Sequence, residues 1–435
     1  MSKRRLNESS SAPQQPPAKK LASIFAPRGS TPFKSRKLGP KQTCWHGVWG
    51  EPKGSSKVLA LDLDGTVVVP KTGKKFPEDE FDWKWWDASV PGKLKQMHKD
   101  GYSLVLISNQ AGKPKQQEAF FRKIPLLGAA LDLPLQAFAA LGYDQYRKPG
   151  TGMWDLFVED FNEGVEVDLE QSIYVGDAAG RPLRTGHKED HSDTDRKMAL
   201  NVSLPFLTPE EFFFKEPNDP NWTLYGWDPK THDHSLPLFL PTNIPLLPRP
   251  FSEFEALKPE VVVFVGSPAS GKTSLFTKYF APAGYVHVNQ DTLKSRPKCL
   301  TAVRDAITSS QSCVVDNTSP KRAIRKEYLD LVRKEFPGTT IRILHFTAHK
   351  DLCVHNSLYR AATRGSQREV LPIIAFSSYF SNFEEPKDEE GFDSIQKINF
   401  KFEGSDEEKQ RWQRWHDCFF QKPKNAGKGT GKGTR

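Results

Sequence analysis

At 435 residues, 37 % of them hydrophobic and 11 % aromatic, the chain is long enough for two domains that each bury a core. It has no apolar run able to cross a bilayer, no secretory signal behind Met-Ser-Lys-Arg-Arg and no lipidation motif, so a membrane-bound protein is not expected. The net charge of +9 sits in the ends: residues 1–43 carry ten Lys/Arg against one Glu, and residues 422–435 carry five Lys/Arg and no acid, which leaves the body near −5. Five cysteines, at 44, 299, 313, 353 and 418, include no Cys-x-x-Cys pair, which argues against a zinc ribbon and fits a reducing compartment.

Residues 1–43, rich in Ser, Pro, Gln and Lys, are expected to be a disordered basic tail. Lys3-Arg4-Arg5 and Lys19-Lys20, with a polar spacer, suit a two-part nuclear-import signal, and a tail that only brushes phosphates is the plainer alternative. The body then divides into two α/β halves. In residues 44–220, β-rich runs at Lys57–Leu63, Ser103–Ile107, Gln136–Ala140 and Ser172–Val175 alternate with helical patterns such as Val90–Asp100 and Gly152–Phe161. A Pro-dense stretch, 221–255, reads as a connection. In residues 256–421 the runs are Glu260–Val265, Tyr285–Asn289, Ser312–Val315 and Thr340–His345, two of them almost wholly apolar, as strands buried on both faces are. Strands alternating with helices predict two doubly wound sheets. The repeat GKGTGKG at 427–433 marks 422–435 as a basic flexible tail.

The first chemistry lies in Leu61-Asp62-Leu63-Asp64-Gly65-Thr66, directly after a strand. In an extended chain Asp62 and Asp64 point to the same side, at the strand end where open α/β sheets place their sites. Two such carboxylates repel each other and call for a cation. One can attack phosphorus; the other can pass a proton to the leaving alkoxide and later activate water. Gly65 permits a sharp backbone turn. Asp-x-Asp-Gly-Thr resembles the first motif of the haloacid-dehalogenase phosphatases, and the other elements of that family follow in order. Ser108, in Ser108-Asn109-Gln110, would donate to the phosphoryl group, Lys148 would supply a cation to the transition state, and Asp177 would complete a Mg²⁺ site with Asp62 and the Asp64 backbone. Asp190 and Asp195 are weaker candidates for the metal shell. The gaps of 46 positions from Asp62 to Ser108 and 40 from Ser108 to Lys148 leave no room for a full cap domain, so an open site that suits a polymer end is expected.

The second is Gly266-Ser267-Pro-Ala-Ser270-Gly271-Lys272-Thr273-Ser274, a complete G-x-x-x-x-G-K-[ST] loop behind an apolar strand. Its amides can wrap a polyphosphate, Lys272 can reach the β/γ-phosphates and Thr273 can reach Mg²⁺. No guanine-reading Asn-Lys-x-Asp follows. Instead the next strand ends at Asn289-Gln290-Asp291, with Asp291 placed to take a proton from an attacking hydroxyl, and the one after at Asp316-Asn317-Thr318, suited to metal or acceptor positioning. Arg360 and Arg364 share one face of a helix, either as a lid over the transferring phosphate or as a solvated surface. Trp83, Trp85 and Trp86 either pack in a core or stack on bases.

Taken together, LDLDGT at 61–66, SNQAG at 108–112, RKPGTGMWD at 147–155, YVGDAAGRP at 174–182, TPEEFF at 208–213, PEVVVFVGSPASGKTS, AGYVHVNQDTL and DNTSP resemble the polynucleotide kinase 3′-phosphatase family, from about Gly54 to about Phe402. The resemblance implies a haloacid-dehalogenase-like phosphatase followed by a P-loop kinase, with Asp62 as nucleophile, Asp64 as acid/base, Lys272 and Thr273 on ATP and Mg²⁺, and Asp291 as general base. It implies a nuclear, monomeric enzyme acting on DNA ends that bear 3′-phosphates and 5′-hydroxyls, with RNA ends as the alternative substrate. Repair scaffolds are candidate partners, although the phosphopeptide-binding forkhead-associated domain of larger animal members has no counterpart here. Ser108 stands where animal members have Thr; the hydroxyl is retained.

Overall fold

The computed structural model describes residues 33–184, 186–247, 259–363 and 369–418. The described residues build two twisted sheets. The first runs in the order β1-β2-β7-β6-β3-β8-β9, from β1 (Lys34–Leu38), β2 (Cys44–Trp49), β3 (Val58–Leu61), β6 (Ser103–Asn109), β7 (Leu135–Ala140), β8 (Ile173–Val175) and β9 (Phe206–Leu207). β7, β6, β3, β8 and β9 are parallel; β1 and β2 pair antiparallel. A small hairpin, β4 (Val68–Val69) with β5 (Lys84–Trp85), follows β3. The helices are α1 (Val90–Lys99), α2 (Pro114–Leu131), α3 (Gly152–Leu156), α4 (Thr194–Asn201) and α5 (Pro209–Phe214).

The second sheet runs β10-β15-β14-β11-β13-β12, from β10 (Phe239–Leu240), β11 (Glu260–Val265), β12 (Val286–Val288), β13 (Cys313–Val315), β14 (Thr340–Phe346) and β15 (Ile395–Ile398). All are parallel except β10. Its helices are α6 (Lys272–Leu275), α7 (Gln290–Leu293), α8 (Arg296–Thr308), α9 (Arg322–Glu335), α10 (Lys350–Ala362), α11 (Ile373–Asn382) and α12 (Asp406–Trp412).

The apolar runs read from the sequence are the central strands, and the period of two explains why they are continuous. In β11, Val261, Val263 and Val265 enter one core cluster while Val262 and Phe264 enter the cluster on the opposite face. In β3, Leu59 and Leu61 face one cluster and Val58 and Ala60 the other. Helix α1 buries Val90, Leu94 and Met97, a single stripe at helical spacing, and presents its lysines elsewhere.

Two expected boundaries move. Residues 34–38, expected within the disordered tail, form β1, where Lys34, Arg36 and Lys37 project from an edge strand whose backbone pairs with β2. Basic composition hid the strand because an exposed edge buries almost nothing. The basic clusters at 3–5 and 19–20, and the tail 422–435, lie outside the described residues. Much of the Pro-rich connection is likewise built into the second sheet. β10 pairs with β15, Gln396 Nε2 donates to Ile244 O at 3.0 Å, and Arg342 donates to Leu246 O at 2.8 Å. Arg342 also grips Glu260 with two bonds of 2.8 Å, joining β14 to β11, and Tyr285 donates to the same carboxylate at 2.6 Å.

Breaking that buried pair from one side strands a charge. Arg342→Met should lower unfolding free energy by about 3–5 kcal/mol, read as a lower urea midpoint; a midpoint unchanged from wild type contradicts the assigned role. A second expectation concerns pH. Burial lowers His46 and His345 from 6.5 to about 4, so the unfolded chain binds their protons first as pH falls. Each ring then removes on the order of 3 kcal/mol of stability as pH falls from 6.5 to 4. Thermal midpoints measured across that window should fall less steeply for His345→Gln than for wild type.

Candidate active sites

Parallel register brings the first set of side chains to one sheet edge. Leu61 pairs with Leu106 on one side and Val175 on the other, so Asp62, Ser108 and Asp177 emerge from adjacent strands at their C-terminal ends. Asp62 N continues the ladder to Val175 O at 2.9 Å. Gly65 turns the chain with φ +98°, and a Cβ there would lie 2.4 Å from Asp177 Oδ2, so the glycine is required by both the turn and the neighbouring carboxylate.

Lys148 stands at the centre, 3 % exposed. Its Nζ donates to Asp62 Oδ1 at 2.6 Å, Asp195 Oδ1 at 2.7 Å and Ile107 O at 2.8 Å. Asp195 is further held by Tyr174 OH at 3.1 Å and Ala178 N at 3.0 Å. Asp62, Asp177 and Asp195 each bring an oxygen within 4.8 Å of the others. One ammonium is thus bonded to two carboxylates, with a third beside them. Burial, then the charge of Asp195, raise Asp62 above the ordinary carboxylate range against the pull of Lys148. Asp177 is raised for the same reasons, burial first and then Asp62 and Asp195. Burial alone would lower Lys148, but Asp195 and Asp62 outweigh it and hold it well above the lysine range. An excess of negative charge, in oxygen donors grouped at one point, is the chemistry of a hard divalent cation site.

Asp64 has partners of its own. Lys123 Nζ donates to its Oδ1 at 2.8 Å and Gln110 Nε2 to its Oδ2 at 2.7 Å, with Gln110 also 2.9 Å from Ser108 Oγ. Lys123, 3 % exposed on α2, carried no sequence signal; Gln110 lay inside a quoted motif with no role assigned. Asp195 proves more central than its ranking beside Asp190 suggested. Asp190 instead accepts from Arg181 at 2.9 and 3.1 Å and from the Ala179 and Arg181 amides, a structural clasp. Trp83 and Trp85 pack edge to face and join the core of the first sheet, while Trp86 lies against Phe213 and Phe214, so the core reading holds for this cluster.

In the second sheet the order β11-β13-β12 sets the Gly266–Thr273 loop beside Asp316 and then Asn289. Gly266 N donates to Thr318 O at 3.1 Å, and Gly271 takes φ +101° at the entry to α6. Lys272 folds onto the loop, donating to Gly266 O at 3.0 Å and Ser267 O at 2.7 Å; burial lowers it to about 8, with Asp316 opposing. Ser270 Oγ is buried with no partner among the described residues, a donor aimed into the loop. Thr273 Oγ1 donates to Asp316 Oδ2 at 2.7 Å, and His287 Nε2 lies 3.0 Å from the same oxygen, its ring stacked on Phe276. Asp316, 2 % exposed, is thus bonded to Thr273 of the phosphate loop. Asn317 is occupied as a brace: its Oδ1 accepts from Gln290 N at 2.9 Å and its Nδ2 lies 3.4 Å from Tyr328 OH. Asp291 is exposed in the first turn of α7, which Asn289 caps.

Beside the loop opens a cavity of ≈ 220 Å³, with Ser270, Gly271 and Ser274 at one end and Tyr279, Tyr359, Arg360, Phe400 and Phe402 among its walls. Its aromatic walls offer flat apolar faces beside the phosphate loop. Arg360 lines this cavity; Arg364 lies outside the described residues. The aromatic walls come from segments far apart in the chain, which no local motif announces.

A family model described as polynucleotide kinase 3 phosphatase matches residues 57–213, and one described as an AAA domain matches residues 261–386. The chain is 38 % identical over 377 residues to a bifunctional polynucleotide phosphatase/kinase of Schizosaccharomyces pombe, covering 85 % of each. It is 32 % identical over 388 residues to a putative bifunctional polynucleotide phosphatase/kinase of Acanthamoeba polyphaga mimivirus, covering 82 % of this chain and 88 % of that one. A polynucleotide 3′-phosphatase of Saccharomyces cerevisiae is 37 % identical over 212 residues, covering 36 % of this chain and 87 % of the yeast protein. Two doubly wound sheets, a carboxylate-lysine centre on one and a phosphate loop on the other, combine with this similarity along most of its length: the chain belongs to the bifunctional polynucleotide phosphatase/kinase family, with a haloacid-dehalogenase-like phosphatase domain followed by a P-loop kinase domain.

Proposed function

We propose that the protein heals broken DNA ends in the nucleus, removing 3′-phosphates at the first centre and phosphorylating 5′-hydroxyls with ATP at the second, so that the strand becomes ligatable. The observation that carries the reading is the division of labour between Asp62 and Asp64. Lys148 holds one oxygen of Asp62, whereas Asp64 is bound by Lys123 and Gln110.

In this mechanism an Asp62 oxygen bonds to phosphorus as the bond from phosphorus to the 3′-oxygen breaks, and Asp64 gives that oxygen its proton. Asp64 then takes a proton from water, whose oxygen attacks the aspartyl-phosphate and releases phosphate and a regenerated Asp62. Ser108 donates to the phosphoryl oxygens, and Lys148 orients Asp62 and favours its ionised form against burial. Asp62, Asp177 and the Asp64 carbonyl are the groups that would hold Mg²⁺, which when bound neutralises their charge and that of the phosphate.

At the second centre the loop amides, Ser270 and Lys272 take the ATP phosphates, Arg360 borders the nucleotide, and Thr273 with Asp316 would hold its Mg²⁺. Asp291 accepts the proton of the 5′-hydroxyl as its oxygen attacks the γ-phosphorus and ADP leaves. DNA is the proposed substrate, with RNA ends, on which the same chemistry works, as the alternative. The open phosphatase cleft, without a cap between β3 and β7 among the described residues, suits a strand terminus.

The test is one incubation of a DNA oligonucleotide carrying a 3′-phosphate and a 5′-hydroxyl with ATP and Mg²⁺, beside its RNA counterpart. Asp62→Asn should lower phosphate release by at least ~10³-fold and leave 5′-phosphorylation within twofold; Lys272→Ala should do the reverse. A single change that silences both activities, or faster turnover on RNA, overturns the respective part of the proposal. Removal of residues 1–32 should spare both activities and shift a fluorescently tagged protein out of the nucleus; unaltered nuclear accumulation refutes the import assignment.

A further inference from the structure

The chain does not end at the second sheet. After α12 it runs back to the phosphatase domain, and residues 414–418 lodge between two segments that build the phosphatase centre. One segment is the loop of Lys148, Pro149 and Thr151. The other is α4, whose first turn carries Asp195 and whose last residue is Asn201. At the catalytic end the two segments are joined by Lys148 Nζ and Asp195 Oδ1 at 2.7 Å. About 9 Å along the helix they are joined again, where Asn201 Nδ2 donates to Pro149 O at 2.7 Å.

That second joint is completed from the far end of the sequence. Asn201 Nδ2 donates to Trp415 O at 2.8 Å and Asn201 Oδ1 accepts from Trp415 N at 2.7 Å. Trp415 is 6 % exposed, and Lys197 Nζ lies 4.3 Å from its ring centroid. Lys197, one turn before Asn201 on α4, donates to Asp417 at 2.7 Å, lies 3.1 Å from Asp193 and also bonds Tyr225 O. Arg414 reaches Thr151 Oγ1 at 3.3 Å. All of these partners are buried or half-buried, so water does not readily replace them. Trp412, three residues earlier, lines the cavity beside the phosphate loop; Trp415 does not.

We infer that residues 414–418, contributed by the kinase end of the chain, are a strap that positions the phosphatase centre: Trp415, acting through Asn201, holds the Lys148 loop in register with α4 and so keeps the Lys148 ammonium between Asp62 and Asp195. The inference rests on the assignment of Lys148 and Asp62 to phosphate removal. Trp415 and Asn201 touch no substrate; they act through the backbone of Pro149. Without the strap the loop is held to α4 by fewer bonds. A displacement of about 1 Å at a reacting group costs up to ~10²-fold in rate.

The experiment uses the full chain with Trp415→Ala, Trp415→Phe, Asn201→Ala and the Asn201→Ala/Trp415→Ala pair, each assayed on one preparation for release of a 3′-phosphate and for 5′-phosphorylation of the same oligonucleotide. Trp415→Ala should lower phosphatase kcat by about 10-fold or more, with KM within twofold and kinase kcat within twofold. Trp415→Phe, which keeps a ring over Lys197, should recover most of the loss. Trp415→Ala keeps the main-chain N–H and C=O that Asn201 holds but removes the buried ring that seats them over Lys197, so the double variant should be close to the poorer single one, because both changes loosen one joint. If both activities fall together, the segment only maintains the fold and the inference fails. Unchanged phosphatase kcat in both single variants also overturns it. Lys148→Ala serves as the reference: full phosphatase activity in that variant refutes the underlying assignment, whereas its loss beside an unaffected Trp415→Ala refutes only the strap.

Discussion

A lysine ammonium removed from water must be met by opposite charge, and in this protein that requirement organises the phosphatase domain. Lys148 is surrounded on all three of its donor directions: Asp62 from the end of β3, Asp195 from α4 and a carbonyl of β6. Each partner comes from a different part of the chain, so the ion cluster both depends on the sheet and pins it. The cation is outnumbered, however. With Asp177 added, the carboxylates exceed the ammonium, and burial together with mutual repulsion raises Asp62 and Asp177. The cluster is thus built to accept more positive charge, of the kind a hard divalent cation would supply.

The kinase domain meets the opposite problem. Its loop gathers donors rather than acceptors, and Lys272, buried with no carboxylate in direct contact among the described residues, settles on the carbonyls of its own loop and is lowered to about 8 by burial. A polyphosphate supplies the missing negative charge there. One sheet therefore presents surplus carboxylate and the other surplus donors. Trp412 and Trp415 stand within one turn of each other between these centres: Trp412 donates to Asn356, which reaches Ala269 of the phosphate loop, while Trp415 meets Asn201 beside the Lys148 loop.

Residues that a strand or a phosphate loop presents in sequence order could be read directly. Asp62, Asp64, Gly65, Lys272 and Thr273 lie in runs whose spacing carries the chemistry, and the strands behind them announce themselves as apolar runs because both faces are covered. Spacing could not rank Asp195 above Asp190, since both are aspartates near the same loop; the fold turns one onto Lys148 and the other onto Arg181. Nor could it separate Asp316 from Asn317, adjacent residues whose side chains leave the strand on opposite sides, one to Thr273 and the other to Gln290 and Tyr328.

The amino-acid sequence by itself determined the two sheets, the order of the domains, the phosphate loop and the paired aspartates, because each depends on local period, local turn chemistry or a short run of residue types. Only the tertiary structure decided the edge strand at 34–38, the docking of the Pro-rich connection through Arg342, the grip of Lys123 on Asp64 and the seat of Trp415 beside Asn201. Each of these joins residues far apart in the chain, and the free energy that selects them comes from satisfying charges and backbone groups buried together, which no window of sequence contains.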